Sequence, residues 1–374
     1  MQIVVNARLL LPDKLDGIGW FTFQTLKRIT VANPDVHFVF LFDRPFSEEF
    51  IFSENITPIV LSPQARHPIL YHLWFQQSVK NLLNRMKPDL FFSPDGFLVL
   101  NTECKQHGVI HDINFLHHPN DVRWLTSIYY NKYFPLFAKR ANRLATVSEF
   151  SKKDIVNNYQ INENKIDVVY NGINEFFKPL SESDKTKARQ IFANGEEYFV
   201  YVGSILPRKN ILRLLEAFSI FKKESKSDTK LILAGRPYWG LQKINEYIRK
   251  NKLEKDILFT GRLDNKNLAM VLGGAKAMTY VPYYEGFGIP LIEAMQAQVP
   301  IITSNVTSLP EIAGEAAIMV NPNQVNEIKD AMLKMDSDEN LRNKLIAKGN
   351  RQKEIFSWDK TAELLWESMK KSMR

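Results

Sequence analysis

Short, continuous apolar runs alternate with helical patterns along almost the whole chain, and this alternation limits the fold more tightly than any other feature. In the first half the runs are residues 2–6, His37–Phe42, Ile59–Leu61, Leu90–Phe92, Val109–Ile110, Leu144–Val147 and Ile166–Tyr170. In the second they are Tyr198–Val202, Leu231–Ala234, Ile257–Phe259, Ala277–Val281, Ile301–Ile302 and Ala317–Val320. Strands without polar alternation are buried on both faces, as in a parallel sheet between two helix layers. The expected class is therefore α/β, with two doubly wound, Rossmann-like domains facing across a cleft. A length of 374 residues agrees, because a single core stops growing before that size. Residues 174–196 are polar and mixed and read as the linker, which gives one domain over 1–176 and a second over 177–356. Residues 357–374 read as an amphipathic helix with Ser357 as its cap. Ligands of such sheets bind at the carboxyl ends of the strands.

The single cysteine, Cys104, excludes an intrachain disulfide and fits a reducing, cytoplasmic setting. Residues 1–8 read as a first strand rather than a signal peptide, and no apolar run reaches the ~18 residues of a membrane span. No Cys and His cluster has zinc spacing, and no metal is expected. Neither a Gly-Lys-Ser/Thr phosphate loop nor a Gly-x-Ser-x-Gly elbow occurs. A net charge of +8 favours an anionic partner, whether nucleotide, nucleic acid or acidic lipid, and is equally read as a solvated basic surface.

The chemistry concentrates in Pro282–Pro310. Val281-Pro282 closes a strand, Gly286 and Gly288 let the backbone bend or approach a ligand, and Pro290 suits the first helical turn. A helix start favours an anion. Glu285 stands before the loop and Glu293 within the helix, so two carboxylates flank an anion site: phosphates in the middle, hydroxyls at both ends. Gly203 to Asn210 follows the first strand of the second domain and carries Arg208 and Lys209 at a helix start, where a surface helix would not keep cations. That pair is what a leaving diphosphate needs, an Arg fork and a compact Lys charge. Gly17-Ile18-Gly19 lies in the loop 13–19 before a helical pattern over Trp20–Thr30. It lacks the third glycine of a dinucleotide fingerprint. His111-Asp112 ends a strand, and the histidine reads either as a structural hydrogen-bonder or as a catalytic group, oriented by Asp112. Gly261-Arg262-Leu263 reads either as a nucleobase cradle or as an ordinary strand exit.

Arg208-Lys209, the Glu285 to Glu293 spacing, the Glu-Gly-Phe-Gly loop and His111 together resemble the retaining glycosyltransferases of group 1, family 4, which have the GT-B fold. The resemblance implies a nucleotide-sugar donor bound mainly by the second domain, an acceptor bound mainly by the first, and a last helix returning to the first. It implies that Arg208 and Lys209 hold the diphosphate, that Glu293 accepts from the ribose hydroxyls, and that Glu285 with Phe287, Gly288 and Ile289 holds sugar and phosphates. Gly203, Gly286, Arg262 and Leu263 complete the donor site. His111 contacts the transferred sugar, and the Gly17 to Gly19 loop approaches the phosphates. No cofactor is implied, since the nucleotide-sugar is a substrate. Asn210 stands where a glycine is frequent, Asn321 where an acidic residue is common, and Tyr283 where a small residue is usual.

The His111-Asp112-Ile113 context resembles transferases using GDP-mannose. UDP- and dTDP-sugar donors stay open, as do a sugar-nucleotide epimerase and a nonenzymatic binding subunit. The implied acceptor is a saccharide or lipid-linked glycan in polysaccharide or lipopolysaccharide synthesis. Arg123-Trp124, Tyr129-Tyr130, Lys132, Lys139-Arg140 and Arg143 mix aromatics and cations, which fits either a helix on an anionic membrane surface or a partly buried helix with a basic face. Nucleic acid is excluded as a partner, because the cations come without a recognition motif.

Overall fold

In the computed structural model, residues 1–12, 15–236 and 241–374 are described. Asp13 and Lys14, in the loop read before the first helix, lie outside them. The chain divides into two units: Met1–Gly172 with Phe356–Arg374, and Ile173–Ile355.

Unit one is a seven-stranded parallel sheet. Its strands are β1 (Gln2–Asn6), β2 (His37–Phe42), β3 (Ile56–Val60), β4 (Leu90–Ser93), β5 (Gln106–Val109), β6 (Arg143–Thr146) and β7 (Ile166–Val168), ordered β3-β2-β1-β4-β5-β6-β7. The order reverses between β1 and β4, where Ile3 pairs with Leu90. The first helix spans Gly17–Ala32, so Gly17 to Gly19 is its opening turn rather than loop. Asp16 explains the earlier start, because its Oδ1 caps the Gly19 N–H at 3.0 Å. After β3 a helical segment runs from Pro68 to Met86 with a π-helical stretch at Trp74–Val79.

The last helix, Trp358–Met373, belongs to unit one. Its Ser357 cap accepts from the Asp359 N–H, Thr361 Oγ1 donates to the Tyr170 carbonyl at 2.7 Å, and Ser368 Oγ donates to Asp167 at 2.6 Å. Gly172 makes this docking possible: a Cβ there would lie 2.3 Å from the Trp358 nitrogen.

Unit two is a six-stranded parallel sheet of β8 (Tyr198–Val202), β9 (Lys230–Ala234), β10 (Ile257–Gly261), β11 (Ala277–Tyr280), β12 (Ile301–Ser304) and β13 (Ala317–Val320), ordered β10-β9-β8-β11-β12-β13. Its reversal falls between β8 and β11. The stretch read as a linker is largely a helix, Glu182–Ala193, capped by Ser181. It packs on unit two through small contacts, with Ala188 against Gly274 and Leu180 against Gly273. A buried face made of alanines carries almost no hydropathy signal, which is why its sequence looks like linker.

Candidate active site

In a doubly wound sheet the loops leaving the two strands at the reversal diverge and open a site. In unit two these are the loops after β8 and β11, which carry the predicted cations and the Glu-Gly-Phe-Gly stretch. Backbone stitches them together, the Tyr283 N–H donating to the Arg208 carbonyl at 2.8 Å. Asn210 locks the same junction. It takes a left-handed φ of +62°, and its Nδ2 donates to the Val281 carbonyl at 2.9 Å and the Pro322 carbonyl at 2.8 Å. The asparagine in the usual glycine position thus keeps the glycine-like backbone and adds a clamp.

Three charges meet at this junction. Arg208 Nη1 donates to Glu285 Oε1 at 2.6 Å and to the Tyr284 carbonyl at 3.1 Å. Lys209 Nζ donates to the same Glu285 oxygen and to the Tyr280 hydroxyl at 2.6 Å. All three side chains are nearly buried, at 14%, 9% and 12% exposure, so the pairs are poorly screened. Burial works against the Glu285 charge, yet Lys209 and Arg208 hold its carboxyl below the usual range. Burial and the neighbouring Glu285 charge push the Tyr280 and Tyr201 phenols far up, so both stay neutral donors. Both cations thus share one oxygen of one carboxylate.

The loop that follows is held by residues sequence reasoning missed. Ser308 Oγ donates to the Glu285 carbonyl at 2.8 Å and the Phe287 carbonyl at 3.0 Å, the Glu285 N–H donates to Thr307 Oγ1, and Ser304 Oγ donates to the Pro282 carbonyl. The Ser/Thr cluster at 303–308 was the available signal. Gly286 is buried in this loop. Gly288 needs to be glycine on two counts, a φ of +98° and a Cβ position 2.7 Å from Leu309 Cδ2. Ile289 opens the helix Ile289–Gln296, with Pro290 in its first turn. One turn on, Glu293 is 8% exposed, and burial alone pushes its carboxyl up to about 8.

The remaining predicted residues fall elsewhere. Gly203 follows β8 at the head of the cationic loop, back to back with Gly235: a Cβ on Gly235 would lie 1.9 Å from the Gly203 carbonyl oxygen. Arg262 is exposed and Leu263 half-buried just past the edge strand β10, two strands away from β8 in the sheet. The sequence does contain one Asp-x-Asp pair, Asp336-Ser337-Asp338, against the expectation that it has none, and the pair is structural: Asp336 pairs with Lys276 at 2.7 Å and Asp338 caps the helix Glu339–Gln352. Among the described residues, no group of three or more His, Cys, Asp or Glu side chains could hold a metal ion.

His111 lies in unit one, past β5. Its Nε2 donates to the Pro94 carbonyl at 2.9 Å, and its ring packs edge-on against Phe21 at 4.8 Å. Burial lowers its pKa against the opposing pull of Pro94, Asp112, Asp95 and Asp16, so the ring is neutral. The expectation that Asp112 orients it is corrected, because the Asp112 carboxylate accepts from the Asn114 N–H and side-chain amide and the Pro94 carbonyl does the orienting. Gly17 is exposed, and Gly19 is buried against Leu15 and the Leu9 carbonyl.

Unit one's own reversal holds an ion pair that sequence reasoning did not find. Arg8, after β1, and Asp95, after β4, meet at 2.6 Å with side chains 8% and 2% exposed. Their 87-residue separation leaves no spacing signal.

The family described as Glycosyltransferase Family 4 matches residues 15–175, and that described as Glycosyl transferases group 1 matches residues 182–352. O-antigen chain mannosyltransferase B of Escherichia coli is 27% identical over 361 residues, covering 92% of this chain and 93% of its own. O-antigen chain mannosyltransferase RfbU of Salmonella typhimurium is 27% identical over 223 residues, 60% of this chain and 58% of its own. Among solved structures, the sucrose-phosphate synthase of Thermosynechococcus elongatus superposes with a TM-score of 0.76 at 17% identity, covering 98% of each chain. WaaG, a glycosyltransferase involved in lipopolysaccharide biosynthesis, gives 0.74 at 15% identity and 99% of each. The fold is GT-B, as the sequence led us to expect. The chain belongs to the group 1, family 4 glycosyltransferases.

Proposed function

We propose that this glycosyltransferase moves mannose from GDP-mannose to a saccharide or lipid-linked acceptor in cell-surface polysaccharide synthesis, with retention of configuration and without a metal. The observation that carries the reading is the junction of Arg208 and Lys209 on Glu285 at unit two's reversal. An incoming diphosphate displaces Glu285 as counter-charge to the two cations. They then neutralise the leaving group as the glycosidic bond breaks. Glu285 turns to the sugar hydroxyls, and Glu293, buried without a donor among the described residues, accepts from the ribose. The acceptor hydroxyl attacks the face the diphosphate leaves, and a departing phosphate oxygen takes its proton. Gly203, the 286–289 backbone, Arg262 and Leu263 frame the donor. The roles implied for His111, Gly17 and Gly19 are part of the same proposal. The two O-antigen mannosyltransferase relatives support mannose as the sugar.

The test is incubation with GDP-mannose and a mannoside acceptor, with the product's anomeric configuration read by NMR. An α-mannosyl product is expected. Transfer only from UDP- or dTDP-sugars, a β-product, or donor turnover without an acceptor would each replace this reading.

We also place the protein on the inner face of an anionic membrane. Trp124, Leu125 and Ile128 are 72%, 56% and 48% exposed beside exposed Arg123, Lys132 and Lys139. That face is narrower than the sequence suggested: Tyr129 is in the core, Arg140 donates to the Cys104 carbonyl, and Arg143 pairs with Asp167. Among the described residues no helix is long and apolar enough to cross a membrane. Co-sedimentation with anionic vesicles at low salt is expected, and its absence ends the idea.

A further inference from the structure

The charged junction of unit two contains a hydroxyl that packing alone does not require. Tyr280 is the last residue of β11, and it is 1% exposed. Its ring stacks on that of Tyr201 from the neighbouring strand β8, with centroids 5.8 Å apart and planes 20° from parallel. Tyr201 is anchored in turn, its hydroxyl donating to the Ser204 carbonyl at 2.9 Å. A phenylalanine at 280 would fill the same space without taking a hydroxyl out of water. The Tyr280 hydroxyl is used on charged groups instead. It accepts from Lys209 Nζ at 2.6 Å, and its hydrogen bond to Glu285 helps to keep that carboxyl ionised. One hydroxyl can do both, because it has one proton to donate and two lone pairs to accept with. The Lys209 ammonium also lies 5.1 Å from the centre of the Tyr280 ring, within reach of a cation–π attraction.

We propose that Tyr280 is a positioning residue of the diphosphate site, its hydroxyl keeping Lys209 aimed once an incoming diphosphate has drawn Glu285 away. This rests on the donor reading above. Lysine is a compact charge on a flexible four-carbon stem, and ordering such a stem costs entropy when a ligand binds. The contact to Tyr280 does not depend on Glu285. It comes from a ring held in a strand against a second anchored ring, whereas Glu285 stands in a loop. Lys209 therefore meets the diphosphate already ordered, and preorganisation of that kind raises affinity.

A double-mutant cycle on the full chain tests this, with GDP, UDP and dTDP as probes and with wild type, Tyr280→Phe, Lys209→Ala and the double variant as proteins. Calorimetry measures the affinities, with saturation-transfer NMR for the weakest. The nucleoside diphosphate that binds the wild type best should bind Tyr280→Phe about tenfold more weakly, the size expected for one hydrogen bond to a charged group. In the Lys209→Ala background the same change should make no further difference. The matching nucleoside, which has no phosphates, should bind all four proteins equally, as a distorted site would not allow. Circular dichroism checks each fold, and Tyr280→Met, an adaptable core filler without a hydroxyl, carries the test if Tyr280→Phe does not fold. Equal diphosphate binding by wild type and Tyr280→Phe, a loss just as large in the Lys209→Ala background, or a matching loss of nucleoside binding would overturn the role of Tyr280 and leave the donor reading standing. A wild type that binds none of the three nucleoside diphosphates would overturn both.

Discussion

Glu293 is the residue on which burial and chemistry conflict most openly. Its carboxyl is pushed from an ordinary 4.5 up to about 8 by burial alone. Between those values the unfolded chain has released a proton that the folded chain still holds, so ligand-free stability is fullest below the window and falls as pH rises through it. Glu293→Gln has no such titration. Its melting temperature relative to the wild type should therefore climb between pH 5 and pH 8, by about 2–4 °C for each 1 kcal/mol in a domain of this size. A difference that stays constant over that range would show that the carboxyl is not held protonated. His111 and Asp112 show where residue-level reading stops: the histidine's hydrogen-bond partner is a backbone carbonyl seventeen positions earlier, and no side-chain pattern announces that.

At the scale of elements, the strands were readable because continuous apolar runs have few other uses, and the register follows them closely. What escaped were features with weak hydropathy. The helix Glu182–Ala193 hides its buried stripe in alanines, and the first helix starts three residues early on the Asp16 cap. The clamp at Asn210 was visible only as a departure from the family pattern. It joins three elements, since its amide bonds reach the exits of β11 and β13 from the start of the helix Ile211–Ser225. Asn210→Gly keeps the left-handed backbone but strands two buried carbonyls, and should cost about 1–3 kcal/mol in urea unfolding. A variant as stable as the wild type would mean that the clamp is incidental.

At the scale of the whole molecule, one topology is used twice with different charge. Each unit places an arginine and a carboxylate at its strand reversal, the buried Arg8 with Asp95 and the nearly buried Arg208 with Glu285. In unit two a second cation, Lys209, joins the pair. The two cations on Glu285 are the reason we propose unit two as the site of the anionic donor. Topology made the doubly wound pair legible in the sequence, but the Arg8–Asp95 and Arg208–Glu285 pairings join positions 87 and 77 residues apart, which one sequence cannot bring together. The most direct measurement is the melting temperature of the wild type and of Lys209→Ala at saturating GDP, UDP and dTDP. At least one nucleoside diphosphate should raise the wild-type value by several degrees and the variant's clearly less, because binding to the folded state alone stabilises it. No shift with any of the three, or equal shifts in both proteins, would contradict the assignment of the Arg208, Lys209 and Glu285 junction to the donor diphosphate.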